Sequence, residues 1–340
     1  MSMSIRIKDV AELAGVSSAT VSRVLANKHY VKETTREKVL KAVRELGYQP
    51  SRVARSLRVK SSQIIGLLIS DIQNPFFTAL VRAVEDVAYE NNYFIFLCNT
   101  DETIEKEAMY IDLMISEKVA GVIITPTNER NSPCKKLLDA NIPMVAVDRR
   151  VLDCDADTVV LNNTHGSFEL VSLLIENGHH RIGAIVGRTE ITTGRERYQG
   201  YKSALMRHNI PVLPELVRFG LPKEEMGFTC TNELLNLPDP PSAIFTGNNL
   251  LTIGALRAIK DRGLRIPQDI ALVAFDDMEW STLISPPLTV AAQPTYAMGL
   301  KATELILKRI SDPTKPTESI LFEPQIRVRE SHKKEVLERR

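Results

Sequence analysis

Hydrophobic residues near the start of the chain recur at helical spacing. The first such stretch, about 8–14, is followed by Gly15, a residue type that commonly ends helices. Ser17 then stands where an N-cap belongs, before a second helix that extends to about Asn27. This pattern predicts two helices joined by a short turn, which is either a helix-turn-helix or an ordinary helix pair of a core.

A third predicted helix favours the helix-turn-helix interpretation. Thr34 and Glu37 have capping-box spacing at its start, and Gly47 marks its end. Three short helices within fewer than fifty residues make a complete small domain. The apolar faces of the three predicted helices are Val10, Leu13 and Ala14; Val21, Val24 and Leu25; and Val39, Leu40, Val43 and Leu46.

The polar side of the second helix carries small and polar groups that can approach base edges and phosphates closely. A helix that enters the DNA major groove needs such a side, and Arg23 suits a base or a phosphate. We therefore expect this head to contact DNA. The expected contact residues are Ser17, Ser18, Ala19, Thr20, Ser22, Arg23, Asn27 and Tyr48.

After residue 62 the pattern changes to short apolar runs separated by helical stretches. Continuous β-branched runs between amphipathic helices predict a parallel α/β sheet, and two such series predict two lobes. Strand-forming stretches at 158–161 and 288–291 are candidate crossovers between the lobes. The predicted strands are 64–69, 93–98, 121–125, 144–147, 181–186, 243–246 and 270–275.

Polar residues follow several of these strands. Open α/β sheets bind ligands at the carboxyl ends of their strands, so these residues predict a sugar-type pocket. Taken singly, Asp148 or Asp276 is more often a helix cap, and Phe76 and Phe77 suit a core as well as a pocket. The candidate effector-binding residues are Ser70, Asp71, Phe76, Phe77, Asp148, Arg149, Arg195, Arg197, Asn248 and Asp276.

Charge is distributed unevenly along the chain. Residues 1–60 carry 13 Lys and Arg against 5 Asp and Glu, whereas residues 61–340 carry 30 against 37. A basic head on an acidic body is the electrostatic pattern of a protein that binds DNA with one end.

Three segments resemble the LacI/GalR family of bacterial transcription regulators: IKDVAELAGVSSATVSRVL, TTREKVLKAVRELGYQPSRVARSLR and DIQNPFF. The similarity extends to about Val328. It implies a helix-turn-helix head at 1–50, a hinge at 51–62, a two-lobed periplasmic-binding-protein-like body at 63–330 and a tail at 331–340. It also implies an allosteric repressor that binds a palindromic DNA operator as a homodimer, with a small carbohydrate-type effector.

The linker is either a plain flexible segment or a short helix that forms on DNA. About eight residues are too few for a stable isolated helix in water, so DNA would have to support it. In the family, paired hinge helices enter the minor groove and a leucine at the position of Leu57 wedges a base step. We expect hinge contacts with DNA from Ser51, Val53, Ala54 and Leu57.

The resemblance also bears on the effector. Arg197, Asn248 and Asp276 match family positions that hold effector hydroxyls or carboxylates, but Asn249 stands where many relatives have Asp. A pocket that lacks this carboxylate and keeps three arginines favours a sugar acid or sugar phosphate, with a neutral sugar as the alternative. Family members respond to effectors in both directions, so the sequence leaves the sign of the response open.

Other classes of protein receive less support. No dinucleotide-binding, P-loop or nucleophile-elbow motif indicates an enzyme, and no cofactor or metal is expected. An exported solute-binding protein would suit the body alone, but the basic head and the absence of a signal-peptide pattern argue against it. Four cysteines without ligand spacing and no apolar run near about 18 residues predict a soluble cytoplasmic protein without a membrane segment.

Overall fold

The computed structural model describes residues 5–25, 31–48 and 62–333. The chain forms two compact units, Met1–Ser62 and Gln63–Arg340, which we call the head and the body. The expected hinge helix lies outside the described residues. So do five of the expected DNA contacts: Asn27, Ser51, Val53, Ala54 and Leu57.

The described residues of the head form three helices, α1 (Ile7–Ala14), α2 (Ser18–Leu25) and α3 (Glu33–Leu46). They pack around a small core in which each helix contributes two buried residues. This core consists of Val10, Ala11, Val21, Val24, Val39 and Ala42. The prediction of buried positions was wrong for Leu13 and Leu40, which are exposed, because the faces of α1 and α3 that pack inward carry Ala11 and Ala42 instead.

The ends of the head helices show which capping signals operate. Gly15 and Gly47 adopt left-handed φ angles of 62° and 61°, as expected for helix C-caps. The Ser17 hydroxyl accepts a hydrogen bond from the Thr20 backbone N–H at 3.1 Å, which confirms the N-cap of α2. The predicted capping box of α3 was wrong, because the helix begins at Glu33 and Thr34 already lies inside its first turn.

Residues 63–333 of the body form two six-stranded sheets, one in each lobe. The strands of the first sheet are β1 (Ile64–Ile69), β2 (Phe94–Asn99), β3 (Gly121–Ile124), β4 (Met144–Val147), β5 (Asp157–Leu161) and β11 (Ser319–Phe322). The strands of the second sheet are β6 (Ile182–Gly187), β7 (Val217–Gly220), β8 (Ala243–Thr246), β9 (Ala271–Phe275), β10 (Thr289–Ala292) and β12 (Gln325–Arg327).

The two sheets have the same strand order. It is β11-β5-β4-β3-β1-β2 in the first lobe and β12-β10-β9-β8-β6-β7 in the second, with only β12 antiparallel. All the strands predicted from the sequence are present within one residue at either end. Three strands were missed, β7, β11 and β12, because they are short edge strands with polar residues.

Helices cover both sheets. Those of the first lobe are α4 (Pro75–Glu90), α5 (Ile104–Ser116), α6 (Lys135–Asp139) and α11 (Thr295–Ser311). Those of the second lobe are α7 (Asn163–Glu176), α8 (Thr192–Arg207), α9 (Glu224–Leu235) and α10 (Asn249–Asp261). Two short 3₁₀ helices, Pro214–Leu216 and Glu279–Thr282, lie in the second lobe. Because both sheets are covered, their central strands are buried and consist mainly of apolar residues, with Val, Ile, Leu and Ala the most frequent.

The chain passes between the lobes three times. It crosses after Leu161 and after Ala292, near the two places that the sequence pattern indicated. The third crossing joins Phe322 to Gln325. All three leave from strands at the same edge of each sheet, so this edge connects the lobes and the carboxyl ends of β1 to β10 face a cleft between them.

Among the described residues, no helix is long and apolar enough to cross a membrane. In the same part of the chain, no group of three or more His, Cys, Asp and Glu side chains could hold a metal ion.

Candidate functional site

The outer side of α2 is the candidate DNA-reading surface of the head. Ala19 and Arg23 are exposed and lie four residues apart, so they share one face of the helix. Ser18, Thr20 and Ser22 are half-buried along its sides. Tyr48 is also half-buried and packs against the core of the head, which leaves only part of its ring accessible.

A second candidate site lies in the cleft of the body. A cavity of about 530 Å³, including the part open to solvent, lies between the carboxyl ends of the two sheets. Small-molecule sites are commonly clefts of this kind, where polar groups converge between two lobes. All but two of the expected effector residues line it: Asp71, Phe76, Phe77, Asp148, Arg149, Arg197, Asn248 and Asp276.

Asp148 and Asp276 occupy equivalent positions in the two lobes. Asp148 follows β4 with a φ angle of 68°, and Asp276 follows β9 with a φ angle of 76°. Aspartate is one of the few residues other than glycine that tolerates this left-handed conformation. The backbone N–H of Asp148 donates to the Val159 carbonyl at 2.9 Å, and that of Asp276 donates to the Ala291 carbonyl at 3.0 Å. The same turn therefore directs one carboxylate from each lobe into the cleft.

The two carboxylates have different partners. Asp276 accepts hydrogen bonds from the Asn249 backbone N–H at 3.1 Å and from Gln293 Nε2 at 2.6 Å. Asp148 accepts no hydrogen bond from any residue that the structure describes, and its nearest cation is Arg149 Nε at 3.7 Å. Burial raises the pKa of Asp148 to about 6, although Arg149 and Arg197 oppose this shift. The Asp148 carboxylate can therefore accept a hydrogen bond from a bound ligand.

Arg197 provides the main cationic group of the cavity. Its Nε donates to Asn163 Oδ1 at 2.9 Å and its Nη1 donates to the Gly247 carbonyl at 2.5 Å. The guanidinium lies 4.0 Å from the centre of the Phe275 ring, and burial lowers its pKa. Its Nη2 has no hydrogen-bond partner in the described part of the chain, so it can donate to a ligand.

Arg149 is already matched by a carboxylate. Its Nη1 and Nη2 donate to the two oxygens of Glu102 at 2.7 and 2.6 Å. Burial alone would raise the pKa of Glu102, but the charge and hydrogen bonds of Arg149 outweigh it and lower this pKa. Ser70, which does not line the cavity, accepts from Arg149 Nη2 at 3.3 Å. Ser70 therefore stabilises the ion pair of Arg149 and Glu102 from outside the cavity.

Arg195 lies outside the cavity. It forms an ion pair with the buried Glu129 of the first lobe, and its own side chain is 44% exposed. Arg195 and Arg197 are two residues apart on α8, about 200° around the helix, so they cannot face the same ligand. The prediction that Arg195 lines the same pocket as Arg197 is therefore wrong.

Several cavity residues were not anticipated from the sequence. Glu102 and Gln293 follow β2 and β10 closely, so the strand-end rule would have found them had it been applied to these two strands. Gly187 and Gly247 also lie at strand ends, those of β6 and β8. The remaining residues come from helix starts and turns, which carry no comparable signal. These are Asn74, Ile191, Thr193, Gly194, Pro222 and Leu251.

Comparisons with known proteins agree with a DNA-binding head on a ligand-binding body. Residues 6–51 match the family described as "Bacterial regulatory proteins, lacI family". Residues 171–332 match the family described as "Periplasmic binding protein-like domain".

Full-length relatives give the same result. The HTH-type transcriptional repressor PurR of Actinobacillus pleuropneumoniae serotype 3 (strain JL03) is 37% identical over 327 residues, which cover 96% of this chain and 97% of that protein. The chain belongs to the lacI family of bacterial regulatory proteins, and it is a DNA-binding transcriptional repressor of that family.

Two solved structures are also similar over nearly the whole chain. The Lac repressor dimer bound to operator and the anti-inducer ONPF has a TM-score of 0.82 at 28% identity, covering 97% of this chain and 99% of that one. The complex of the transcriptional regulator CelR with cellobiose has a TM-score of 0.73 at 30% identity, covering 96% and 99%.

Proposed function

We propose that this repressor is controlled by a neutral sugar that binds in the cleft and changes its affinity for DNA. The observation that carries the proposal is the pairing of an unsatisfied acceptor with an unsatisfied donor. Asp148 is buried without a hydrogen-bond donor, and Arg197 Nη2 lacks an acceptor among the described residues. A hydroxyl group both donates and accepts, so neighbouring sugar hydroxyls can satisfy both.

The charge of the cavity favours a neutral ligand over an anion. Four carboxylates line it, Asp71, Glu102, Asp148 and Asp276. Asp71 is paired with Lys223 and Glu102 with Arg149, which leaves Asp148 and Asp276 against the single guanidinium of Arg197. The support for a sugar acid or sugar phosphate came from three arginines, and two of these are engaged by Glu102 and Glu129. An anion would have to enter beside unmatched carboxylates, which repel it.

The cavity also offers apolar surface for the C–H face of a sugar ring. Phe76 and Phe77 line it and contact each other edge to face, with ring centres 5.0 Å apart. Gln293 adds a buried Oε1 that has no partner within the described residues, so it can accept from one more hydroxyl. The CelR structure shows cellobiose in a protein of similar fold, which supports a carbohydrate here.

The test is calorimetric titration with neutral monosaccharides, their uronic acids and their phosphates, preceded by a thermal-shift screen that also includes purines. A ligand at 100 times its dissociation constant adds about 2.7 kcal/mol to the free energy of unfolding. We expect a neutral sugar to bind more tightly than its acid or phosphate. Tighter binding of the anionic forms, or of a purine alone, would contradict the proposal.

We further infer that the repressor is a homodimer that reads a palindromic operator in the cytoplasm. The edge strand β2 and its neighbours α4 and α5 expose a run of large apolar side chains, which is unusual for a monomer surface. Two copies related by two-fold symmetry would cover it and present two heads to a symmetric DNA site. These side chains are Tyr89, Phe94, Phe96, Met109 and Leu113.

Sedimentation of a Phe94→Glu variant tests this surface. We expect wild type to sediment as a dimer and the variant to shift toward monomer at the same concentration. Met206→Glu, at an exposed position on α8, is the matched control and should remain dimeric. A dimer of unchanged stability in Phe94→Glu would show that the contact lies elsewhere.

A further inference from the structure

An ion pair joins the lobes across the cleft. Lys223 Nζ, which follows β7 in the second lobe, lies 2.6 Å from Asp71 Oδ2, which follows β1 in the first lobe. Asp71 is buried and lines the cavity, as does Pro222, whereas Lys223 does not line it and is partly exposed. The pair therefore forms the outer wall of the cavity, with the lysine on the solvent side of the carboxylate. We call Lys223 and Asp71 the gate pair.

The strand order places the gate pair far from the crossovers. The crossovers leave from the edge formed by β5, β10, β11 and β12, whereas β7 is the outermost strand at the opposite edge and β1 is next to outermost. Lobes joined at one edge separate by rotation about that edge, so the distance between them grows fastest at the other. The gate pair therefore spans the mouth of the cleft, where opening must break it.

Because of the position of Asp71, the positive charge of Lys223 is important for closing the cleft. Asp71 also accepts a hydrogen bond from the Gln73 backbone N–H at 3.0 Å, so its carboxylate is held in place on the first lobe. Without Lys223 it would be a buried charge facing a cavity that already contains three other carboxylates. Closure of the mouth would then cost more free energy than in the native chain.

A second contact between the lobes lies behind this wall. Asn249 Nδ2, at the start of α10, donates to Asn74 Oδ1 at 2.8 Å, and both residues are buried. Asn74 Oδ1 also accepts from the Phe76 backbone N–H at 2.9 Å, so the asparagine is fixed as the N-cap of α4. Its neutral amides can hold the lobes together but cannot neutralise Asp71. Lys223 is thus the cation that makes closure at this point possible.

We infer that the gate pair determines the size of the effector: it closes over a monosaccharide and rejects a longer sugar. This inference rests on the proposed function, since it assumes a sugar in the cleft. When one ring of a disaccharide contacts Asp148 and Arg197, its second ring must extend out of the cavity. The gate pair closes the mouth of the cleft, through which this ring would have to pass. Weakening the pair opens this exit and also loosens the lobes in the absence of ligand.

Two readouts test the inference. The first is the ratio of dissociation constants for neutral monosaccharides and for cellobiose, measured by calorimetry on the full chain. The second is hydrogen–deuterium exchange of residues 71–77 and 247–252 in the ligand-free protein, which requires no sugar. The variants are Lys223→Met, which keeps the length but not the charge, and Lys223→Arg, which keeps the charge. Lys260→Met, at an exposed position on α10, is the matched control.

We expect Lys223→Met to shift the affinity ratio at least tenfold toward cellobiose and to speed exchange at both segments, while the other two variants behave like wild type. An unchanged ratio together with unchanged exchange would overturn the inference. If no sugar binds wild type, the proposed function fails separately. In that case faster exchange in Lys223→Met would still support a gate between the lobes, and unchanged exchange would overturn it.

Discussion

Asp148 and Asp276 show how two identical residues in equivalent turns acquire different roles. Asp276 is satisfied by Asn249 and Gln293, so it is a fixed part of the second lobe. Asp148 has no such donors among the described residues and is the group on which a ligand has most effect. The chemical difference therefore comes from neighbours on other elements and not from the aspartates themselves.

Effector affinity should fall at low pH because of Asp148. Burial raises its pKa to about 6, with Arg149 and Arg197 opposing this shift and Asp276 and Glu102 adding to it. A sugar hydroxyl donates to the ionised carboxylate, so binding weakens as pH falls through this value. From pH 7.5 to pH 5 we expect the dissociation constant to rise about tenfold.

The control for this prediction is Asp148→Asn, since asparagine also tolerates the left-handed backbone. Calorimetry should show weaker binding by this variant and no comparable change between the two pH values. Equal pH dependence in wild type and variant would assign the titration to another group.

Arg197 and Arg195 give a matched pair of substitutions. Lysine at position 197 cannot reproduce the guanidinium fork that reaches Asn163, Gly247 and the ligand together. We expect Arg197→Lys to weaken effector binding by about 10- to 100-fold, equivalent to about 1.5–3 kcal/mol for hydrogen bonds of a charged group. Arg195→Lys keeps its charge opposite Glu129, outside the cavity, and should change binding less than threefold in the same titration.

Residue types at strand ends could be predicted from the sequence, but their partners could not. The strand-end rule selected Asp148, Arg149 and Asp276, all of which line the cavity. It could not show that Glu102 and Glu129 engage Arg149 and Arg195, because those contacts join residues 47 and 66 positions apart. The preferred charge of the effector depended on these pairings, and for this reason the sequence alone favoured an anion.

At the scale of single elements, the two helix caps predicted from the sequence had different outcomes. Ser17 caps α2 through its hydroxyl, whereas Thr34 has the right spacing for a cap but lies inside α3. Ser17→Ala should destabilise the head by about 1 kcal/mol, and Thr34→Ala should have little effect. Exchange of the amide protons of α2 in the full chain measures this, and equal effects of the two substitutions would contradict the assignment.

The start of α8 depends on a close backbone approach. A Cβ on Gly194 would lie 2.1 Å from the Arg188 carbonyl oxygen and 2.7 Å from the Gly187 carbonyl carbon, whereas a Cβ on Gly187 would meet nothing closer than 3.5 Å. Gly194→Ala should therefore cost about 1–3 kcal/mol, because backbone atoms must shift to accommodate it.

Gly187→Ala is the matched control for this position and should be nearly neutral. Denaturant unfolding can be followed by the fluorescence of Trp280, which is the only tryptophan of the chain and lies in the second lobe. Equal free energies of unfolding for Gly187→Ala and Gly194→Ala would show that the start of α8 can shift with no loss of stability.

Periodicity predicted elements well where burial is complete and poorly at sheet edges. The central strands are continuous aliphatic runs, so their pattern is evident in the sequence. Strand β11 alternates exposed and half-buried residues, and β12 has only three residues. Both depend on pairing with distant strands, β5 and β10, for their existence. The third crossover between the lobes was missed for the same reason.

At the scale of the whole molecule, the function that we propose is a coupling between two binding sites. If the effector changes affinity for DNA, then DNA changes affinity for the effector by the same factor. The lobes provide the element that both sites can influence. Polar contacts such as Arg150 with Glu196 at 3.0 Å join them, so a change in their arrangement has to break or replace these contacts. The basic charge of residues 1–60 makes binding to DNA dependent on salt.

The most direct test of the account is the affinity of the full chain for its operator with and without the sugar that binds the cleft. The operator would be selected from random duplexes by the protein itself, and affinity followed by fluorescence anisotropy for wild type and Arg197→Lys. We predict a palindromic site and a sugar-dependent change of about 5- to 150-fold in wild type that is absent from the variant at the same sugar concentration. Selection of no specific sequence, or an operator affinity that a bound sugar leaves unchanged, would contradict the account.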